Sequence, residues 1–301
     1  MSQQGTIHRY SLLIEKLSHK QFPSFKIIHD HLHDQGFEIS SRTLQRDIEQ
    51  IRNEFGIEIK FDHSRGGYFI DKDESINVES FLRFLEIVSV AHLLTESLKE
   101  SKESLNYISF EAQGSLKGIE MLQPLLSAIR NRRKISFTHE NFETGKKRNY
   151  LLLPYLLHEY QNRWYIVGKS ASVKELMTFG IDRIENLEVS NETFKRDKAI
   201  NPAERFENIV GLYKENRKPE EILLSFNLRQ AKYEKALPLH SSQEIITENE
   251  NEVVMKYYLI PNYELKQKIL MRGESVKVVE PKWLAGEIKT MAGAISHLYH
   301  E

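Results

Sequence analysis

The chain has 301 residues, enough for two or three domains that each bury a hydrophobic core. Its 42 lysines and arginines balance 43 aspartates and glutamates, which excludes a basic field over the whole molecule, so any affinity for nucleic acid must come from local clusters. Cysteine is absent, which excludes disulfides and thiolate metal sites and favours a reducing, cytoplasmic location. The longest apolar stretch, YLLLPYLL, is too short to span a bilayer, so no membrane partner is expected.

The first 75 residues carry three helical patterns followed by a hairpin pattern. Apolar residues recur at helical spacing from Thr6 to His19, and again between Pro23 and Gly36. After a third such pattern come two short alternating runs, IEIKF and GYFI, joined by DHSRGG, whose adjacent glycines suit a tight hairpin. Three helices and a hairpin predict a winged helix-turn-helix over residues 1–75.

The third helical pattern separates an apolar stripe from a polar face. A pair of serines offers an N-cap, and apolar residues follow at steps of four, three and four: Leu44, Ile48, Ile51 and Phe55. Arg42, Gln45 and Arg46 lie on the opposite side. Arginine reads guanine and glutamine reads adenine in the major groove, so this face predicts a recognition helix, with Arg65 at the hairpin tip near the DNA backbone or minor groove. An ordinary solvated helix face remains the alternative.

The local charge balance opposes DNA binding. Residues 1–75 hold ten lysines and arginines but twelve aspartates and glutamates. Affinity for DNA would therefore depend on the placement of individual arginines and on a second subunit, and a homodimer is expected.

The run SSRTLQRDIEQIRNEFGIEIKFDHSRGGYFI resembles the winged helix-turn-helix at the front of WYL-domain transcriptional regulators. In that family a Ser-x-Arg-Thr-aromatic-x-Arg-Asp run opens the recognition helix, and Gly-Gly-Tyr closes the wing. The resemblance implies a double-stranded DNA operator as partner and the following DNA-binding residues: Ser41, Arg42, Thr43, Gln45, Arg46 and Arg65.

Residues 76–129 are mostly helical by pattern and are interpreted as a connector, with dimer contacts or plain packing as alternative roles. Over residues 130–200 the pattern changes to six short alternating runs, which predicts a small β-barrel: ISFTH, NYLLL, YLLHEY, RWYIVG, ELMTF and IENLEV. NRWYIVG and FGIDRI resemble the two signature stretches of the WYL domain, a barrel similar to the Sm fold. Ile166 replaces the third signature letter, and Phe137 stands where many relatives carry tyrosine.

A local positive cluster lies in this barrel, because residues 130–148 hold seven basic side chains and two acids. The resemblance implies an anion-binding face, formed by Arg133, Arg148, His158, Arg163, Tyr165 and Arg183. Guanidinium groups suit phosphates and an aromatic ring can stack on a base, so a nucleotide or oligonucleotide effector is expected. Each residue also has an alternative role that stays open. In these alternatives the arginines near residue 130 complement the dipole of a helix C-terminus, Trp164 belongs to the core, and Arg183 forms an ion pair with Asp182 or Glu185 and binds no ligand.

Residues 201–220 form a charged linker with two prolines, and residues 221–301 carry the order β-α-β-β-α-β, which predicts a ferredoxin-like domain. A final helix is expected from Pro281, with an apolar stripe that ends at Ile295 and Leu298. MRGESVKVVEPKWL resembles the start of the WCX-type extension that many WYL regulators carry. The chain is therefore expected to be an α+β multidomain protein with a winged helix-turn-helix, a helical connector, an Sm-like barrel and a ferredoxin-like domain.

No motif for catalysis is present: there is no glycine-rich phosphate loop, nucleophile elbow or carboxylate pair, and HDHLHD lacks the acid that a zinc protease needs. No enzyme activity, metal or cofactor is expected. The leading hypothesis is a ligand-responsive regulator, expected to repress, that binds an inverted repeat as a homodimer. The alternatives are an RNA- or single-strand-binding protein that acts mainly through the barrel, and a nucleic-acid enzyme with an unrecognised site. Duplex binding that requires Arg42 and Arg46 distinguishes the first from the second.

Overall fold

The computed structural model describes residues 3–18, 22–76, 78–100, 117–142, 144–170 and 175–299. The chain divides into two compact units, Met1–Ala112 and Gln113–Glu301. Helices and antiparallel sheets occur together, which confirms the mixed α+β class expected from the sequence. No helix in the described part of the chain is long and apolar enough to cross a membrane.

The described residues of the first unit form four helices and one hairpin: α1 (Gln3–Ser18), α2 (Phe25–Asp34), α3 (Ser41–Phe55), β1 (Ile59–Asp62), β2 (Gly67–Ile70) and α4 (Val78–Glu100). The N-cap of α3 is Ser40, whose hydroxyl accepts a hydrogen bond from the Thr43 amide. The helix ends at Gly56, whose φ of 66° lies in the left-handed region that glycine adopts without strain. The apolar stripes of these elements meet in one core, which includes Leu13, Ile28, Leu44, Ile51 and Leu85.

The β1–β2 hairpin is anchored to the turn that precedes α2. The Tyr68 amide donates to the Pro23 carbonyl at 2.9 Å. A Cβ at position 67 would lie 1.7 Å from the carbonyl oxygen of Phe22, so only glycine permits this approach. Gly67 therefore fixes where the hairpin sits beside the helices of the first unit.

The second unit begins with a helix and a five-stranded antiparallel sheet, called the WYL sheet after the sequence resemblance of its strands: α5 (Leu122–Arg130), β3 (Arg133–Glu140), β4 (Lys147–Tyr160), β5 (Arg163–Ser170), β6 (Leu176–Gly180) and β7 (Ile184–Thr193). The strand order is β6-β5-β4-β3-β7. Leu125 and Ala128 of α5 are buried in the same core as Ile135, Leu152 and Ile166 of the sheet. Helix α5, which the sequence placed in the connector, thus packs on this sheet.

NYLLL and YLLHEY, expected as separate strands, form the single strand β4. The register with β5 shifts between Pro154 and Leu156, which marks a β-bulge. Proline cannot donate to the ladder, and bulges are among the few places where a strand tolerates it. The bulge also changes the alternation, so that Leu157 packs against the core while its neighbour His158 lies on the opposite face.

The C-terminal part of the second unit contains a four-stranded antiparallel sheet with three helices: β8 (Glu220–Asn227), α6 (Leu228–Ala236), β9 (Glu244–Glu248), β10 (Glu252–Leu259), α7 (Tyr263–Met271), β11 (Val276–Glu280) and α8 (Lys282–His297). Its strand order is β11-β8-β10-β9. The core takes alternate residues of β8 and β10, among them Ile222, Phe226, Met255 and Tyr257. Helix α8 follows Pro281 as expected, but its stripe is buried only at Leu284, and Ile295 and Leu298 remain exposed.

Candidate functional site

Helix α3 presents a polar outer face. Ser41, Arg42, Gln45 and Arg46 are exposed, and the Thr43 hydroxyl lies 3.0 Å from that of Ser40. In the described part of the chain, neither Arg42 nor Arg46 makes an ion pair or a hydrogen bond through its guanidinium group. These donors are therefore available to an external partner.

A buried ion pair holds α3 from behind. The Nε and Nη2 atoms of Arg9, on α1, donate to the two carboxylate oxygens of Asp47 at 2.5 and 2.9 Å. Asp47 is fully buried and Arg9 is 2% exposed. The hydrogen bond to Asp47 raises the pKa of Arg9, and the Tyr10 hydroxyl adds a 2.7 Å hydrogen bond to Gln50. The sequence contains one indication that Asp47 is buried: it lies three residues after Leu44 and four before Ile51, on the apolar side of the helix.

Arg65 is at the hairpin tip, as the sequence predicts. Its guanidinium lies over the ring of Phe22, 4.3 Å from the ring centre, and its Nε is 3.8 Å from a carboxylate oxygen of Asp62. The side chain remains 62% exposed. Arg65 is thus held in a defined orientation while part of its guanidinium faces solvent.

On the second unit, Arg163, Tyr165 and Arg183 come together around Asp182. Arg163 donates to the Asp182 carboxylate, and its guanidinium lies 5.9 Å from the centre of the Tyr165 ring. Arg183 lies 4.5 Å from the centre of the Phe142 ring. The buried Nε of Arg183 and the buried Oδ1 of Asp182 have no hydrogen-bond partner within the described residues. Unsatisfied buried polar atoms are costly, so this region is suited to a polar ligand.

His139 lies close enough to Arg183 and Asp182 to feel both charges, and Arg148 is its neighbour across the sheet. His139 and Arg148 are paired across β3 and β4, so their side chains lie on the same face of the WYL sheet. His139 is 8% exposed and packs edge-on against Phe179, and its Nε2 makes no hydrogen bond in the described chain. Burial and, to a smaller extent, the charge of Arg183 lower the pKa of His139 to about 4, so the ring is neutral near pH 7.

We name Arg148, Arg163 and Arg183, together with His139, Tyr165 and Asp182, the arginine cluster. Sequence reasoning missed His139, although its alternation with Ile135 and Phe137 placed a polar residue on a buried face. Pairing of Arg183 with Glu185, one of the alternatives that the sequence left open, is not observed in the described chain, and Glu185 binds the Lys147 ammonium at 2.7 Å.

The structure does not bring Arg133 or His158 into the arginine cluster. Arg133 is the exposed first residue of β3, six residues before His139 and therefore about 20 Å away along the strand. His158 is paired with Tyr165, but its ring stacks on Phe206 with centroids 3.8 Å apart and planes within 3°. Burial lowers the pKa of His158. Of the arginines expected on this face, Arg163 and Arg183 lie together around Asp182, and Arg148 is the cross-strand neighbour of His139.

The arginine cluster has the chemistry of an anion site. Arg163 donates to the Asp182 carboxylate, Arg183 follows Asp182 in the chain, and Arg148 is the cross-strand neighbour of His139, so the named side chains carry net positive charge, and forked N–H donors match phosphate oxygens. Of the rings nearby, that of Tyr150 is partly exposed and offers surface on which a base can stack, whereas those of Tyr165 and Phe179 are buried. No group of three or more potential metal ligands occurs among the residues that the structure describes.

Comparisons with known proteins find a domain match over part of the second unit. Residues 120–189 match the family model described as WYL domain. The chain matches no curated protein. It is similar to the solved structure of proteasome accessory factor B/C of Arthrobacter aurescens, with 16% identity and a TM-score of 0.34, over 95% of this chain and 46% of that chain. A structure described as a CRISPR Cas-related protein is similar at 12% identity and a TM-score of 0.40, over 99% of this chain and 85% of that one. The chain thus spans less than half the length of the first of these structures.

Proposed function

We propose that this chain, which carries a WYL domain at residues 120–189, is a ligand-responsive transcriptional regulator without catalytic activity. The first unit would bind duplex DNA through α3, and the arginine cluster would bind a phosphate-bearing effector, a nucleotide or a short oligonucleotide. The observation that carries the proposal is the outward polar face of α3 on a helix locked by the Arg9–Asp47 pair.

The order of elements supports the finer assignment of folds. Three helices and a hairpin in the first unit are typical of a winged helix-turn-helix. A helix followed by five strands in the order β6-β5-β4-β3-β7 favours an Sm-like barrel, and β-α-β-β-α-β with the order β11-β8-β10-β9 favours a ferredoxin-like domain. The domain boundaries drawn from the sequence stay predictions.

The polar face of α3 has the composition that groove readout needs. Recognition helices contact bases mainly through their N-terminal half, and Arg42, Gln45 and Arg46 all lie in the first half of α3. Arginine donates two hydrogen bonds to guanine, and glutamine bonds adenine through its amide. Arg65 and the backbone of the hairpin would add contacts to phosphates, which set register without reading sequence.

Single alanine substitutions test this assignment on an operator identified by genomic footprinting. Arg42→Ala or Arg46→Ala should each weaken specific binding by about 1 to 3 kcal/mol, roughly 5- to 150-fold, in mobility-shift titrations. Arg83→Ala, an exposed arginine on α4, is the matched control and should leave affinity unchanged. If both α3 variants bind like the Arg83 variant, α3 does not enter the groove. An equal loss on every sequence would assign the contact to phosphate rather than to a base.

The effector site has its own matched control on the same sheet. Arg148→Ala combined with Arg183→Ala should abolish binding of a short labelled oligonucleotide in fluorescence anisotropy, whereas Arg133→Ala, at the far end of β3, should not. Binding should weaken as salt is added, because counterions are released from the phosphates. Equal binding by parent and double variant would reject the site.

A homodimer is proposed because one helix with two arginines reads few base pairs, and two half-sites about one helical turn apart give an inverted repeat. Light scattering with and without operator DNA measures this state. The second candidate function, RNA or single-strand binding through the WYL sheet, is favoured by the acidic excess of residues 1–75. It predicts that the double variant loses all nucleic-acid binding while the α3 variants lose none.

A further inference from the structure

A cleft of about 450 Å³ opens between the WYL sheet and the C-terminal part of the second unit. It is bounded by residues 158–161 at the end of β4, by residues 206–211, by residues 237–239 after α6, and by α7. We call it the junction cleft. None of the three arginines of the arginine cluster lines it. Its volume lies within the range of small-molecule sites, roughly 300 to 1,000 Å³.

The walls of the junction cleft are mostly apolar. The Phe206 ring stacks on His158, and the lowered pKa of His158 keeps that imidazole uncharged near neutral pH. Ile209 and Val210 lie beneath, while Leu237 is 81% exposed at the rim. Phe206 thus offers an aromatic surface, and Leu237 an aliphatic one, to a ligand in the cleft.

One cation in the junction cleft is not neutralised by its surroundings. Lys268 and Arg272 lie one turn apart on α7 and both line the cleft. Arg272 donates from Nε and Nη2 to the buried carboxylate of Glu234 at 2.6 and 2.8 Å, so its charge is balanced. Lys268 makes no ion pair within the described residues. The carboxylate that also lines the cleft, Glu159, is engaged at 2.7 Å by a backbone amide of its own turn.

The turn that forms one wall places two residues other than glycine in the left-handed region. Gln161 and Asn162 connect β4 to β5 with φ of 51° and 59°, both in the left-handed region. Two-residue hairpin loops of this type favour asparagine and glycine, so glutamine at the first position is a costly choice. Costly backbone conformations collect at binding sites, where the surrounding structure enforces them.

We propose that the junction cleft binds a flat, apolar molecule that carries one negative charge, such as an aromatic carboxylate or sulfonate. The ring packs between Phe206 and Leu237, and the acid group binds the Lys268 ammonium. This site is separate from the arginine cluster and needs no phosphate. A ligand there contacts both parts of the second unit at once and therefore stabilises their junction.

Two fluorescent probes test the shape and the charge independently: anilinonaphthalene sulfonate and its neutral analogue, N-phenylnaphthylamine. With the full chain, Lys268→Met should weaken binding of the sulfonate about fivefold, the scale of one partly exposed ion pair, and leave the neutral probe unaffected. Leu237→Ser should weaken binding of both. The matched controls, Lys289→Met and Leu298→Ser on exposed positions of α8, should change neither.

The proposal is overturned if Lys268→Met and Leu237→Ser bind the sulfonate like the parent, or if Leu298→Ser reduces binding as much as Leu237→Ser. Equal weakening of both probes by Lys268→Met would reject recognition of the charge. A change of oligomeric state in Leu237→Ser by light scattering would assign the cleft to a second copy of the chain and reject a small ligand. The Arg148→Ala, Arg183→Ala variant should retain probe binding, so failure of the effector site and failure of this one are distinguishable.

Discussion

Replacement of Asp47 by alanine removes the contact that holds the proposed recognition helix. Asp47 accepts two hydrogen bonds from Arg9, at 2.5 and 2.9 Å, and both side chains are at least 98% buried. The substitution leaves the Arg9 guanidinium in the interior without the carboxylate that balances its charge. Because a buried charge without its counter-charge cannot be solvated, the first unit should lose stability.

The expected loss is large relative to the stability of a domain. Removal of one partner of a buried pair costs about 3 to 5 kcal/mol, whereas replacement of both partners by apolar residues is often neutral. Domains of this size have about 5 to 15 kcal/mol in total. Asp47→Ala alone should therefore bring the first unit close to unfolding, and the double change Arg9→Met, Asp47→Leu should restore most of the loss.

The chain supplies an internal control for the assay. Both tryptophans, Trp164 and Trp283, lie in the second unit, so their fluorescence follows that unit alone, whereas far-ultraviolet circular dichroism also follows the helices of the first. In urea, Asp47→Ala should move part of the dichroism transition to lower denaturant and leave the fluorescence transition in place. Asp30→Ala, at an exposed site on α2, should move neither. A loss below about 1 kcal/mol for Asp47→Ala would refute the reasoning.

Three further predictions concern single side chains. Gly67→Ala should destabilise the first unit by about 3 kcal/mol in the same assay, because the new methyl group meets the Phe22 carbonyl, and an unchanged transition would contradict the hairpin anchor. Gly286→Ala, in α8 with open space around it, should stabilise the second unit by about 0.5 to 1 kcal/mol, and a destabilising effect would show hidden crowding. The pKa of His139 is about 4 in the folded protein and 6.5 in the unfolded chain. Between these two pH values the unfolded chain binds more protons than the folded one, so the stability of the second unit should fall as pH drops from about 6.5 to about 4. His139→Phe should reduce this pH-dependent loss of stability by on the order of 1 to 3 kcal/mol, measured by tryptophan-monitored unfolding. If the parent and His139→Phe lose the same stability between about pH 6.5 and about pH 4, the ring is not buried as described.

The local pattern was enough to find α3 and its exposed face. The apolar steps from Leu44 to Ile51 specify which side is buried, and Arg42 and Arg46 follow on the other side by helical geometry alone. The partner of Asp47 was not predictable in the same way. Arg9 lies 38 residues away on α1, and sequence periodicity contains no information on which helices face each other.

The WYL sheet shows the same limit. Its alternating runs indicate the strands, but the bulge after Pro154 reverses which residues of β4 face the core: Leu157 packs against the core, and His158 lies with its cross-strand partner Tyr165 on the other face. Strand register also decides that Arg133 lies at one end of β3 and His139 at the other. Arg133 and Arg148 both belong to the basic stretch at residues 130–148, but of the two only Arg148 is paired with His139 across the sheet.

The charge count of the first unit is a poor guide to what it binds, because much of that charge is consumed internally. Arg9 is buried against Asp47, Arg52 pairs with Glu58 at 3.4 Å, and Lys60 binds both Asp71 and Glu74. These pairs fix the fold and contribute little field at a distance, whereas Arg42 and Arg46 are left without a carboxylate partner in the described chain. If α3 binds DNA as proposed, its affinity rests on a few placed donors rather than on a basic surface. Weak non-specific binding and a shallow dependence on salt then follow from the same arrangement, which is also the reason for proposing a second subunit.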